Sequence, residues 1–107
     1  VIAGGNFLRA DASDTTTGAI TIDNDTGLLV GDSQELTLSV SSSNITIAQT
    51  SQDKDLSFTV NDGGSTTTTL KLDGASGGVN MPNLPTSDPA VAGRLWRDGT
   101  DLKVSVG

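Results

Sequence analysis

Between Ala19 and Asp73 the apolar residues of this chain stand two apart, segment after segment. Ile20 and Ile22, Leu28 and Val30, Leu36, Leu38 and Val40, Ile45 and Ile47, Leu56, Phe58 and Val60, and Leu70 and Leu72 are each separated by one residue, usually Thr or Ser. A period of two gives a segment one apolar face and one wet face, the pattern of a half-buried strand. Composition agrees. Ser and Thr supply 27 of the 107 residues, and Thr suits a pleated surface because its branched Cβ restricts χ1. Helix formers are scarce, and no window carries a helical apolar stripe. The expected fold is all-β: short antiparallel strands in a meander, a β-sandwich or a β-prism, closing on a C-terminal β-hairpin.

Length fits one domain or one stretch of a longer repetitive protein, and the chain opens on Val1, as a processed or partial chain would. Only three residues are aromatic, so the core such a chain builds alone is thin and aliphatic. Association with copies of itself would remedy that. The net charge of −7, carried by 12 Asp and one Glu, argues against a nucleic-acid partner, which needs a cationic footprint, and against docking on anionic membrane. Asp serves turns by bonding its own backbone, so the acidity reads as a soluble, self-repelling exterior. Cys and His are both absent, which removes disulfides, the commonest general base and the commonest transition-metal ligand. No apolar run approaches a membrane span.

Residues 1–18 read as an extended connector, 19–79 as a strand ladder, and 80–107 as a Pro-rich crossing followed by a hairpin. Strands are expected at Ala19–Ile22, Leu28–Val30, Glu35–Ser41, Ile45–Gln49, Leu56–Val60 and Thr67–Leu72. They recur as strand plus turn at irregular spacing, without a strict sequence repeat. Asn61-Asp62-Gly63-Gly64 is the strongest hairpin signal. All three prolines fall between Pro82 and Pro89, in a stretch that cannot be a central strand because proline donates no ladder bond. Gly93–Arg97 and Leu102–Val106 flank Asp98-Gly99-Thr100-Asp101 as the terminal hairpin.

Sites of chemistry are few. Asp23-Asn24-Asp25-Thr26-Gly27 begins like an EF-hand loop, but Gly27 stands at the fifth position and Gln34 at the twelfth, so the pattern fails. Looser oxygen cages are conceivable at Asp53/Asp55 or Asp98/Asp101. The carboxylates are dispersed over separate turns, with no aromatic-lined cleft for a sugar, which argues against glycosidase chemistry and against an enzyme altogether. No cofactor is expected. Trp96, between Arg94 and Arg97, either packs in the hairpin or at a subunit contact, or stacks on a glycan ring.

The two ends carry a resemblance. Phe7-Leu8-Arg9-Ala10-Asp11-Ala12-Ser13-Asp14-Thr15, followed by Thr17-Gly18-Ala19-Ile20-Thr21-Ile22, resembles the segment-opening pattern of tail-fibre proteins of tailed bacteriophages, cyanophages especially. Leu84-Pro85-Thr86-Ser87-Asp88-Pro89, then Val91-Ala92-Gly93, Leu95-Trp96, Asp98-Gly99 and Leu102-Lys103-Val104-Ser105, resembles a C-terminal module of phage tail and other structural proteins. The resemblance implies a virion structural protein, a tail fibre or related appendage, often a homotrimer whose chains build one β-rich shaft beside other virion proteins. Candidate subunit contacts are Phe7, Leu8, Leu38, Phe58, Leu95 and Trp96. The alternatives are a capsid decoration protein and a glycan-binding or adhesin module meeting a host surface glycan.

Overall fold

The computed structural model describes residue 13 and residues 15–107, and there the chain is all-β and antiparallel. Its elements are β1 (Leu28–Val30), β2 (Leu36–Ser41), β3 (Asn44–Gln49), β4 (Leu56–Asp62), β5 (Ser65–Asp73), β6 (Gly78–Asn80), β7 (Leu95–Asp98) and β8 (Asp101–Val104). They form a first sheet β1-β2-β3, a second sheet β4-β5-β6 and a terminal hairpin β7-β8. Each strand pairs only with its sequence neighbours, so the architecture is a meander. Phe7 and Leu8, expected at subunit contacts, lie outside the described residues.

Turn chemistry sets these pairings. The β2–β3 hairpin turns through Ser42 and Ser43, both at positive φ (47° and 66°), and β4–β5 turns through Gly63 and Gly64 (59° and 92°). Positive φ at both central residues gives the twist that suits adjoining antiparallel strands. The Asn61 side chain accepts a hydrogen bond from the Gly64 N–H at 2.8 Å, closing the second turn. The register shifts between Phe58 and Thr59, and there the Thr69 hydroxyl donates to the Phe58 carbonyl at 3.2 Å.

The two long hairpins repeat, which the expectation of irregular spacing did not provide for. Leu56-Ser57-Phe58-Thr59-Val60 stands 20 residues after Leu36-Thr37-Leu38-Ser39-Val40, and the two open β4 and β2. Their preceding loops correspond as well. Gln34 N–H donates to Gly31 O at 3.1 Å, and Lys54 N–H donates to Ser51 O at 3.3 Å. Two further expectations are corrected. Ala19–Ile22 is not a strand: Ile20 and Ile22 are exposed and have no ladder partner. Gly78–Asn80, where no strand was expected and whose Asn80 was to open the crossing, is β6 and pairs with β5 through Lys71↔Asn80 and Leu72↔Val79.

The crossing is tied down by hydrogen bonds. Asn83 donates its amide to Thr68 O at 2.7 Å, and Arg97 N–H donates to Pro85 O at 2.9 Å. Gly93 N–H donates to Ser105 O and Ser105 N–H to Arg94 O, at 2.8 and 2.9 Å. The Ser105 hydroxyl donates to the Asp88 carboxylate at 2.5 Å. Ser105, 2% exposed, is the single buried residue among those described, and no apolar side chain there is buried.

Candidate association surface

Directly opposed residues on antiparallel strands share a face, so the registers assign every side chain to a side. In the first sheet Leu28↔Leu38↔Ile47, Val30↔Leu36 and Val40↔Ile45 place seven aliphatic residues on one face. The opposite face carries Leu29, Thr37, Ser39, Thr46 and Ala48. The aliphatic face is open: exposure runs from 37% at Leu36 to 74% at Ile45. Thr37, Ser39 and Ala48 are half-buried. Leu29 and Thr46 on that side are exposed, so neither face of the sheet is covered in the single chain.

The second sheet repeats the arrangement. Leu56↔Leu72↔Val79 and Phe58↔Leu70 share a face, and Val60 stands two beyond Phe58 on the same strand. Phe58, Val60, Leu72 and Val79 are exposed, and Leu56 and Leu70 are half-buried. A hollow of about 330 Å³ joins the two sheets and is lined by Ile47 from the first and by Leu56, Leu72 and Val79 from the second. A second hollow, about 320 Å³, carries the surface on from Val79 through Met81 and Leu84 to Arg97 and Leu102. Through these hollows the apolar faces adjoin as a stripe, with Ala48, Lys54 and Asp73 also lining the first of them. Its continuation through Met81, Leu84 and Leu102 was not among the sequence-based candidates. Met81 and Leu84 sit in the Pro-rich crossing, where periodicity gives no signal, and Leu102 alternates with Val104 in a hairpin whose alternation does not say which sheet face it continues.

Of the candidate contacts, Leu38 and Phe58 lie on this stripe, at equivalent places in the two hairpins. Leu95 is half-buried and shares a face with Val104, Arg97 and Leu102. Trp96 takes the other face, opposite Lys103, whose ammonium lies 5.4 Å from the ring centroid. Lys103 also pairs with Asp98 at 2.8 Å. A cation held over the ring leaves one aromatic face fewer for a sugar. The Trp96 Nε1–H is enclosed and has no partner.

The turn carboxylates are engaged by the protein. Asp55 accepts from Lys71 Nζ at 3.0 Å and from the Gly74 N–H at 3.1 Å, fastening the β3–β4 loop to the turn after β5. The Lys71 hydrogen bond, then that from Gly74, holds the Asp55 carboxyl below its ordinary range, and Asp55 in turn raises Lys71. The Ser105 hydroxyl, then the Ala90 N–H, lowers Asp88. Among the described residues no three His, Cys, Asp or Glu side chains gather so as to hold a metal ion.

No protein family, no curated protein and no solved structure matches the chain. Fold and surface define a class on their own terms: an antiparallel β meander of repeated hairpins that keeps its aliphatic side outside.

Proposed function

We propose that this protein is a non-enzymatic structural component of a bacteriophage virion, a tail fibre or related appendage, assembled as a β-rich homotrimer. The observation that carries the reading is the absence of any buried apolar side chain among the described residues. A domain that works alone must bury its own hydrophobic surface to offset the entropy of folding. A shaft subunit obtains that burial from its neighbours. The extended form supports the same reading: the radius of gyration is 19.6 Å, against about 13 Å for a compact chain of this length. The resemblance at the two ends supplies the virion context, and closed cyclic symmetry is the usual way to terminate association without fibres.

The glycan-binding alternative draws less support, since Lys103 covers Trp96. The test is direct. Antibody raised against the chain should label the tail appendages of purified particles in negative-stain images, and its peptides should appear in washed virions. Label on the capsid surface would replace the appendage by a decoration protein. Particles free of the chain would refute a virion role.

A further inference from the structure

We infer that Asp62-Gly63, at the tip of the β4–β5 hairpin, is a site of spontaneous chemical modification, where the folded chain converts aspartate to isoaspartate. The reaction needs no partner and holds whether or not the chain belongs to a virion. Asp-Gly occurs three times in the sequence, at Asp62, Asp73 and Asp98, and Asn-Gly does not occur. A glycine after aspartate has no Cβ to shield its nitrogen or restrict its backbone, so that nitrogen can reach the preceding side-chain carboxyl. At Asp62 the Gly63 nitrogen attacks Cγ of the free acid. An N–Cγ bond forms, and the amide proton and the carboxyl hydroxyl leave as water. Water then opens the cyclic imide. Attack at Cγ restores aspartate. Attack at the former main-chain carbonyl breaks its bond to the Gly63 nitrogen and leaves the chain running through Cγ, with the α-carboxylate as the side group. The water lost is regained, so no oxidant or co-reactant is needed.

The fold treats the three sites differently. At Asp73 both reacting groups are held. Its carboxylate accepts from the Ala75 and Ser76 N–H groups at 3.0 and 3.1 Å, and the Gly74 N–H, which would attack, donates to Asp55 at 3.1 Å. A Cβ on Gly74 would collide with the Lys54 backbone, so this turn has little room to move. At Asp98 the carboxylate accepts from Lys103 Nζ at 2.8 Å, and the Gly99 carbonyl accepts from the Arg97 guanidinium at 3.2 Å. Asp62 is the exception. Among the described residues its carboxylate has no hydrogen bond or ion pair, and the Gly63 N–H has no acceptor. Asp62, Gly63 and Gly64 are all exposed, and a Cβ on Gly63 would enter open space.

The product disturbs the hairpin where it turns. Isoaspartate adds a main-chain atom between Asn61 and Gly64, whose side chain and N–H close the turn, and between the paired Asp62 and Ser65. The modified chain loses that closure, and β4 and β5 separate from the tip.

Trypsin separates the three sites, into peptides 55–71, 72–94 and 98–103. The full chain is held in warm neutral buffer made with water enriched in heavy oxygen, which each ring opening adds to the carboxyl formed, then digested and weighed peptide by peptide. The same peptides are offered to an isoaspartyl methyltransferase with a labelled methyl donor. Heavy oxygen at Asp62 should exceed that at Asp73 or Asp98 by about tenfold, the delay expected where hydrogen bonds must open before reaction. In urea the three sites should react at comparable rates, since the restraints are gone. Methyl acceptance should appear in peptide 55–71, and Asp62→Glu, whose ring closes far more slowly, should remove both signals. Asp55→Ala, which releases the Gly74 N–H, should raise the rate at Asp73. Equal rates at the three sites in the folded chain, faster reaction at Asp73 or Asp98, heavy oxygen without methyl acceptance, or signals that survive Asp62→Glu would each overturn the assignment.

Discussion

Gly27 closes the turn into β1 at φ 75°, and its N–H donates to Asn24 O at 3.2 Å. A Cβ there would collide with the Leu38 carbonyl on β2. Gly63 also has positive φ, 59°, yet a Cβ there would enter open space. The pair separates conformational strain from steric exclusion. Gly63→Ala should cost about 1 kcal/mol in a urea melt, the strain of a left-handed residue alone. Gly27→Ala should cost more than about 2 kcal/mol, because β2 backbone must also move. Equal losses would show that the close approach of Gly27 to β2 is unimportant. At Asp88 the residue-scale effect is electrostatic. Its folded pKa is lowered, so the stabilisation is present above the ordinary value of 3.8 and is lost as pH falls through the folded value. Trp96, the sole Trp, reports on the hairpin that Ser105 latches to Asp88. Its fluorescence melting temperature should fall as pH drops below 3.8, and Asp88→Asn should flatten that dependence. An unchanged slope in the variant would exclude the latch.

At the scale of elements the two hairpins offer a comparison within one chain. Ser42 and Ser43 hold the positive φ values that Gly63 and Gly64 adopt without steric cost. Ser43→Gly should therefore stabilise the protein by about 1 kcal/mol, read from the same urea melts, provided the turn conformation is kept. Strands β1 to β5 were legible in the sequence because alternate aliphatic residues mark them, and Leu28–Val30 was placed at its observed bounds. Ile20 and Ile22 carry the same mark and form no strand. Alternation states that a segment has two faces, not that a neighbour exists to complete its ladder. Gly78-Val79-Asn80 failed the other way: its side chains announce nothing, and it pairs because the Asp73–Gly77 turn delivers it to β5, with Gly77 N–H donating to Asp73 O at 2.8 Å. The stripe was half legible. Leu38 and Phe58 follow from period two, but the junction of the two sheets does not: Ile47 lines one hollow with Leu72 and Val79, which lie 25 and 32 residues further on. The latch was hidden altogether, since Asp88 and Ser105 lie 17 residues apart with Pro89 and the β7–β8 hairpin between.

For the whole molecule, stability and association are one equilibrium if the stripe is the missing core. The melting temperature should then rise with chain concentration, as for any fold completed by a copy of itself. Phe58 gives the sharpest mutational measure, because the single chain and the assembly predict different outcomes for it. In the chain alone Phe58 is 44% exposed, and truncating a side chain left at the surface changes stability by no more than about 0.5 kcal/mol. Covered by its counterparts in neighbouring copies, Phe58→Ala should cost about 3 kcal/mol per chain. Thr46→Ala, on the opposite face of the first sheet, should stay within about 0.5 kcal/mol and leave the concentration dependence intact. Leu38→Lys should abolish the concentration dependence, since it sets like charges against one another in the middle of the stripe. Denaturant melts at two concentrations a hundredfold apart decide the matter. A small loss at Phe58 with concentration-independent midpoints would mean that the aliphatic side faces water in the working protein, and that its core must come from a partner of another kind.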